Sequence, residues 1–192
     1  LDRRWIAPPE ASLLVSVLVR SLPVEQWHRS TMAMSLAATA ACEAVAGVRP
    51  EIKWPNDLYI GDRKLAGMLS EGHVGAAGSG FVVVGIGINV TWPAELPAEI
   101  ADRAVALNHV TGATVDRRAL LDALLAELAR TDWDTVTDRY RSALATLGQE
   151  IAITLPSGEV VVGLAVGLDA EGALVIEATN RARRTITVGD VS

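Results

Sequence analysis

Cysteine is almost missing from this chain of 192 residues: Cys42 stands alone in an alanine-rich segment. One thiol builds neither a disulfide framework nor a cysteine metal site, and here it reads as a small buried hydrophobe. Positive charge is also short. Seventeen Lys and Arg face 23 Asp and Glu, a net charge of -6, which excludes a sequence-independent nucleic-acid binder, since that needs a basic face. No apolar run approaches the ~20 residues of a membrane span, and nothing resembles a signal peptide; a reducing cytoplasm fits. The three histidines, His28, His73 and His109, lack any spacing that suggests a metal site or a proton relay, and each reads as an ordinary loop histidine. No Gly-x-Ser-x-Gly or other nucleophile motif occurs, which argues against covalent catalysis through a side chain.

Half of the chain is apolar, enough for one sizeable core and a small satellite domain. "SLLVSVLVR" (12–20) reads as a strand buried on both faces, and "GFVVVGIGINV" (80–90) as a second. Between them, Ser30 is placed to cap a helix over about 31–46 that Gly47 ends. Residues 50–70 read as a hairpin. Residues 91–112 have no clear period and suggest a loop with short helical turns. Asp116 caps an amphipathic helix, "RRALLDALLAELAR", and another helix runs through "WDTVTDRYRSALATL". From Gly148 onward, short alternating strands with turn signals predict a small barrel, so the boundary is expected near 147.

Three constellations carry chemistry. In "KWPNDLYIGDRKLAG" (53–67), Trp54 is extended before Pro55, and Gly61-Asp62 is a two-residue hairpin turn. That turn pairs Ile60 with Arg63, Tyr59 with Lys64 and Asp57 with Ala66, so that Asp57 and Lys64 become diagonal neighbours and Gly67 lies opposite Asn56. Taken alone, Asp57–Lys64 reads first as an ion pair on a solvated hairpin, and Lys53 as a solvated charge. In "VVVGIGINV", Gly85, Gly87 and Asn89 share one face. They form either a floor for a ligand or a close-packing surface for a helix, and Asn89 could also form a turn. In "LDRRWIAPPEAS", Arg3, Arg4 and Trp5 could clamp phosphate oxygens and stack on a flat group, or form a solvated terminus.

Taken together, "KWPND", "KLAG" and "GIGIN", in this order and spacing, resemble the catalytic core of biotin–protein ligases, also called biotin–[acetyl-CoA-carboxylase] ligases or holocarboxylase synthetases. The resemblance implies an α/β (α+β) fold related to class II aminoacyl-tRNA synthetases and lipoate ligases, here residues 1–147, followed by an SH3-like domain, 148–192. It implies that biotin is activated by ATP as biotinyl-5′-AMP and passed to a lysine of a biotin carboxyl carrier protein. Magnesium would arrive with ATP and no dedicated metal site is implied. Lys64 matches the family's essential lysine, and Asp57, besides lining the nucleotide site, would steer the incoming amine. Lys64, Gly67, Gly85, Gly87 and Trp5 are implied for biotin, and Arg3, Lys53, Asn56, Asp57 and Asn89 for ATP or the adenylate, with 91–112 as the covering loop.

The pattern departs at the start. The chain opens on Leu1 without methionine, which reads as an incomplete chain. The family's Ser-Thr-Asn biotin contact and arginine-glycine loop are not in it, and Asp2 stands beside the expected adenylate. A helix-turn-helix for DNA is also not in it. The implied partners are therefore biotin and the carrier protein, with no DNA and no membrane, for a cytoplasmic monomer or weak homodimer. The competing readings are a non-catalytic ligand-binding module of the same fold and a lipoate ligase-like transferase, against which "KWPND" tells.

Overall fold

The computed structural model describes residues 5, 7–75 and 80–191. Five strands form an antiparallel sheet: β1 (Ser12–Val19), β2 (Glu51–Lys53), β3 (Asp57–Ile60), β4 (Arg63–Val74) and β5 (Gly80–Asn89), in the order β1-β5-β4-β3-β2. One face is covered by α1 (His28–Ala46), whose Ala33, Met34, Ala37, Ala38, Ala41 and Cys42 are buried. Small alanines let this helix approach the sheet closely, and Val82, Val84, Ile86 and Ile88 of β5 are buried on the same side. Burial pushes the Cys42 thiol up to about 12, which fits an inert core residue. Two further helices, α3 (Arg117–Ala129) and α4 (Val136–Ala143), pack on α1. Asp116 caps α3, accepting from the backbone N–H groups of Arg118 and Ala119.

Two expectations need correction here. The N-cap of α1 is Trp27; Ser30 lies inside the first turn, and its hydroxyl donates to the Trp27 carbonyl at 2.7 Å. The strand β1 is not buried on both faces. Leu14 and Leu18 are 61% and 47% exposed, because the face of the sheet opposite α1 carries no helix among the described residues. The expected end at Gly47 is found, with the glycine at φ 65°.

The second sheet is also antiparallel: β6 (Glu150–Thr154), β7 (Val160–Leu168), β8 (Leu174–Glu177), β9 (Arg183–Ile186) and β10 (Asp190–Val191), in the order β10-β6-β7-β8-β9. Its buried Ile151, Ile153, Ala165, Leu174, Ile176 and Ile186 belong to the same contiguous apolar cluster as the core of the first sheet. No helix among the described residues is long and apolar enough to cross a membrane.

Candidate functional site

The hairpin β3–β4 turns at Gly61-Asp62 as its sequence requires, with Gly61 at φ 57°. Ile60 pairs with Arg63 and Tyr59 with Lys64, and then the register shifts: Leu58 faces Ala66, and Asp57 faces Gly67. The expected pairs Asp57–Ala66 and Asn56–Gly67 are thus displaced by one residue. Leu65 is the extra residue of a β-bulge, and its side chain is fully buried in the core. A bulge re-aims the side chains on either side of it. Here it lays the Lys64 side chain back across Gly67, with Nζ 2.6 Å from Asp57 Oδ1. A Cβ added to Gly67 would lie 3.0 Å from both Lys64 Cε and Nζ and 3.3 Å from that Asp57 oxygen. Gly67 is therefore the seat on which the ion pair rests. The pair is neither on a solvated hairpin nor sealed: its side chains are 34% and 21% exposed.

The floor continues across the sheet, where Gly67 faces Gly87 and Gly87 faces Leu14. The Trp5 indole lies on Gly87, so that a Cβ there would come within 2.8 Å of the ring. At Gly85, two residues away, an added Cβ would make only ordinary contacts, the nearest Ser16 Oγ at 3.6 Å. Asp57, Lys64, Gly67, Gly87 and Trp5 thus form one continuous cleft on the open face. Lys53 pairs with Asp57 in register on the other side, and its ammonium stands 4.6 Å from the centre of the Tyr59 ring. Burial first, then the Asp57 and Asp190 charges, raises the Tyr59 phenol.

Asn89 closes the floor as a buried bracket. Its carbonyl oxygen accepts from Ser12 Oγ at 3.3 Å, and its amide donates to the Val105 carbonyl at 3.1 Å. The backbone of Lys64 grips the same segment, donating to Arg103 O at 2.8 Å and accepting from Val105 N at 3.0 Å. The second half of the 91–112 stretch is therefore ordered against the site, ending in α2 (Leu107–Thr111). Buried Trp92 anchors the first half, its indole donating to Ser12 Oγ at 3.2 Å.

Residues 2–89 match the biotin/lipoate A/B protein ligase family, and residues 146–192 match the biotin protein ligase C terminal domain. A biotin--[acetyl-CoA-carboxylase] ligase of Mycobacterium tuberculosis is 34% identical over 98% of this chain and 72% of its own length. The chain belongs to the biotin protein ligase family. A bifunctional ligase/repressor BirA of Bacillus subtilis is 28% identical over the whole chain, which spans only 61% of that relative. Among solved structures, the biotin protein ligase from Aquifex aeolicus in complex with biotin and ATP superposes with a TM-score of 0.80 at 27% identity, covering 99% of this chain and 81% of the other.

Of the residues singled out in sequence, this biotin protein ligase chain gathers Trp5, Asp57, Lys64, Gly67 and Gly87 into the cleft, with Gly85 beside it and Asn89 under it. Arg3 lies outside the described residues. Asn56 sits on the turn between β2 and β3, where its amide donates to the Met68 carbonyl and its own carbonyl accepts from Met68 N at 2.9 Å. Sequence reasoning did not single out the residues that hold this turn. Thr146 Oγ1 accepts from Trp54 N at 3.0 Å, Gly172 O accepts from the Trp54 indole at 3.1 Å, and Tyr140 donates to the Pro55 carbonyl at 3.0 Å. They lie 92, 118 and 85 residues away along the chain, and no local pattern announces them.

Proposed function

We propose that the chain is an ATP-dependent biotin–[biotin carboxyl-carrier protein] ligase, with residues 1–147 as catalytic domain and 148–192 as an SH3-like domain. The observation that carries the reading is the Lys64 ammonium, seated on Gly67 beside Asp57 and at the edge of the glycine floor. In the first half-reaction a biotin carboxylate oxygen attacks the α-phosphorus of ATP, the bond to the bridging oxygen breaks, and pyrophosphate leaves. Two anions must approach each other, so a cation between them lowers the barrier. Lys64 fills that role, and Lys53 supplies a second positive charge toward the phosphates.

Gly67, Gly87 and Trp5 make a flat, largely apolar slot that suits the fused rings of biotin, with Gly85 beside it. Asn56, Asn89 and, by its resemblance, Arg3 bear on the nucleotide. Among the described residues the carboxylate on this floor is Asp57, paired with Lys64; no dedicated metal site is proposed, and magnesium would come with the ATP phosphates and offset their charge. In the second half-reaction the carrier lysine attacks the acyl carbon and AMP departs. Asp57 faces that amine and orients it. ATP and a carboxylase carrier are cytoplasmic reactants, and the chain acts there.

The test is biotin-dependent exchange of labelled pyrophosphate into ATP, followed by transfer of biotin to a carrier-domain lysine. Exchange and transfer are the expected result. Biotin-linked stabilisation of the fold without exchange would leave a binding module and end the ligase reading.

A further inference from the structure

The turn Trp54-Pro55-Asn56 delivers the polar residues of the site from β2 into β3, yet it has few hydrogen-bonding groups of its own. Proline brings no N–H to the Trp54–Pro55 peptide; the next peptide, Pro55–Asn56, is held by its carbonyl, and Asn56 is tied to Met68. That carbonyl accepts from Tyr140, on α4, at 3.0 Å. Tyr140 is 2% exposed and is among the largest fully buried side chains of the chain. Its ring is locked by packing, and its hydroxyl is therefore a fixed point. Burial first, and then the Asp57 charge, raises the phenol, so it stays protonated and remains a donor at any ordinary pH. The next residues of α4 and its C-terminal loop hold the other side of the turn: Ala145 N donates to Ile52 O at 2.9 Å, and Thr146 accepts from Trp54 N.

We propose that Tyr140 is a positioning residue for the adenylation site: its hydroxyl fixes the Pro55–Asn56 peptide and, through it, holds the Asp57 carboxylate against Lys64. Only Asn56 separates the gripped carbonyl from Asp57, and a carboxylate 2.6 Å from an ammonium tolerates little rotation of the peptide that carries it. The catalytic half of this inference rests on the ligase reading; the geometric half does not.

Tyr140→Phe keeps the ring and removes only the donor. The decisive readout is the titration of the Asp57 carboxyl by carbon NMR, its signal assigned with Asp57→Asn. In Tyr140→Phe its midpoint is expected to rise by a few tenths of a pH unit, as the pairing with Lys64 loosens. Thr146→Val, which frees Trp54 N but leaves the Pro55 carbonyl gripped, is expected to lower the melting temperature and leave that titration in place. In exchange assays Tyr140→Phe should lose about tenfold in kcat per folded molecule with KM for biotin within twofold. Added to Asp57→Asn it should cost nothing more, because the two act through one group. An unchanged Asp57 titration, an unchanged kcat or a full further loss in the double variant overturns the proposal. If the wild-type chain exchanges no pyrophosphate, the ligase reading falls and the titration alone decides the geometry.

Discussion

The two faces of strand β5 obey different rules. On one, Val82, Val84, Ile86 and Ile88 alternate toward α1, each no more than 3% exposed. On the other, Val83, Gly85, Gly87 and Asn89 look onto the cleft, flanked by exposed Leu14, Leu18 and Leu69 on the neighbouring strands. The first face is made of large branched side chains whose loss leaves a cavity. The second is made of missing side chains whose addition would fill a site. One strand thus carries the packed core and the glycine floor proposed for recognition on residues that alternate along the chain, and a single-residue slip would exchange the two.

The largest effect that tests this division is expected at Lys64, on the cleft side. Lys64→Ala should lower the rate of pyrophosphate exchange on the order of a thousandfold, the scale of removing one preorganised charge from a reacting centre. A partly exposed ion pair open to solvent contributes about 1 kcal/mol to folding, so denaturant midpoints should move little. Unfolding without loss of activity per folded molecule would return the pair to an ordinary structural role. Next comes the core side. Ile86→Ala should cost about 3 kcal/mol of stability, read by chemical denaturation, with exchange per folded molecule within twofold of wild type. Its neighbour Gly87→Ala should do the reverse. Its backbone lies outside the positive-φ region, so a methyl group there costs the fold little. That methyl would meet the Trp5 ring at 2.8 Å, and biotin binding should weaken about tenfold together with a change in tryptophan fluorescence. If both substitutions unfold the protein alike, the two faces are not functionally distinct.

Much of this arrangement is legible in the chain. The turn at Gly61-Asp62, the Asp116 cap and the Gly47 stop are local chemistry, and local chemistry reads well. The strings around Lys64 and Gly87 mark the cleft by resemblance and by spacing. What stays hidden is whatever depends on a partner far along the chain. Leu65 looks like one more residue of an alternating strand, and only the core that swallows it makes it a bulge. The run in β1 is apolar on both faces, which reads as double burial; that Leu14 and Leu18 face an open cleft instead follows from the absence of a covering helix there among the described residues. Tyr140 and Thr146 look like ordinary residues of a helix and its exit until the fold sets them beside Pro55 and Trp54.

The smallest expected effect separates stability from recognition by pH. His28, the first residue of α1, has its pKa lowered from 6.5 by burial and then by the adjacent Arg29 charge, against the opposing pull of the Glu25 backbone bond and of Glu171 and Asp169. Its buried Nε2 has no hydrogen-bond partner. The unfolded chain therefore takes up this proton more readily than the folded one. Stability from this group is fully present above about pH 6.5 and declines as pH falls through that value toward the lower folded pKa, since protons favour the state that binds more of them. His28→Gln should flatten the fall in unfolding free energy between pH 7 and pH 5, measured by denaturant titration. It should leave the biotin-induced increase in stability unchanged at each pH, because His28 lies at the start of α1, on the covered side of the sheet and away from the floor of glycines. A biotin increment that changes with the substitution would mean that the two faces communicate through α1, and the division drawn from β5 would have to be given up.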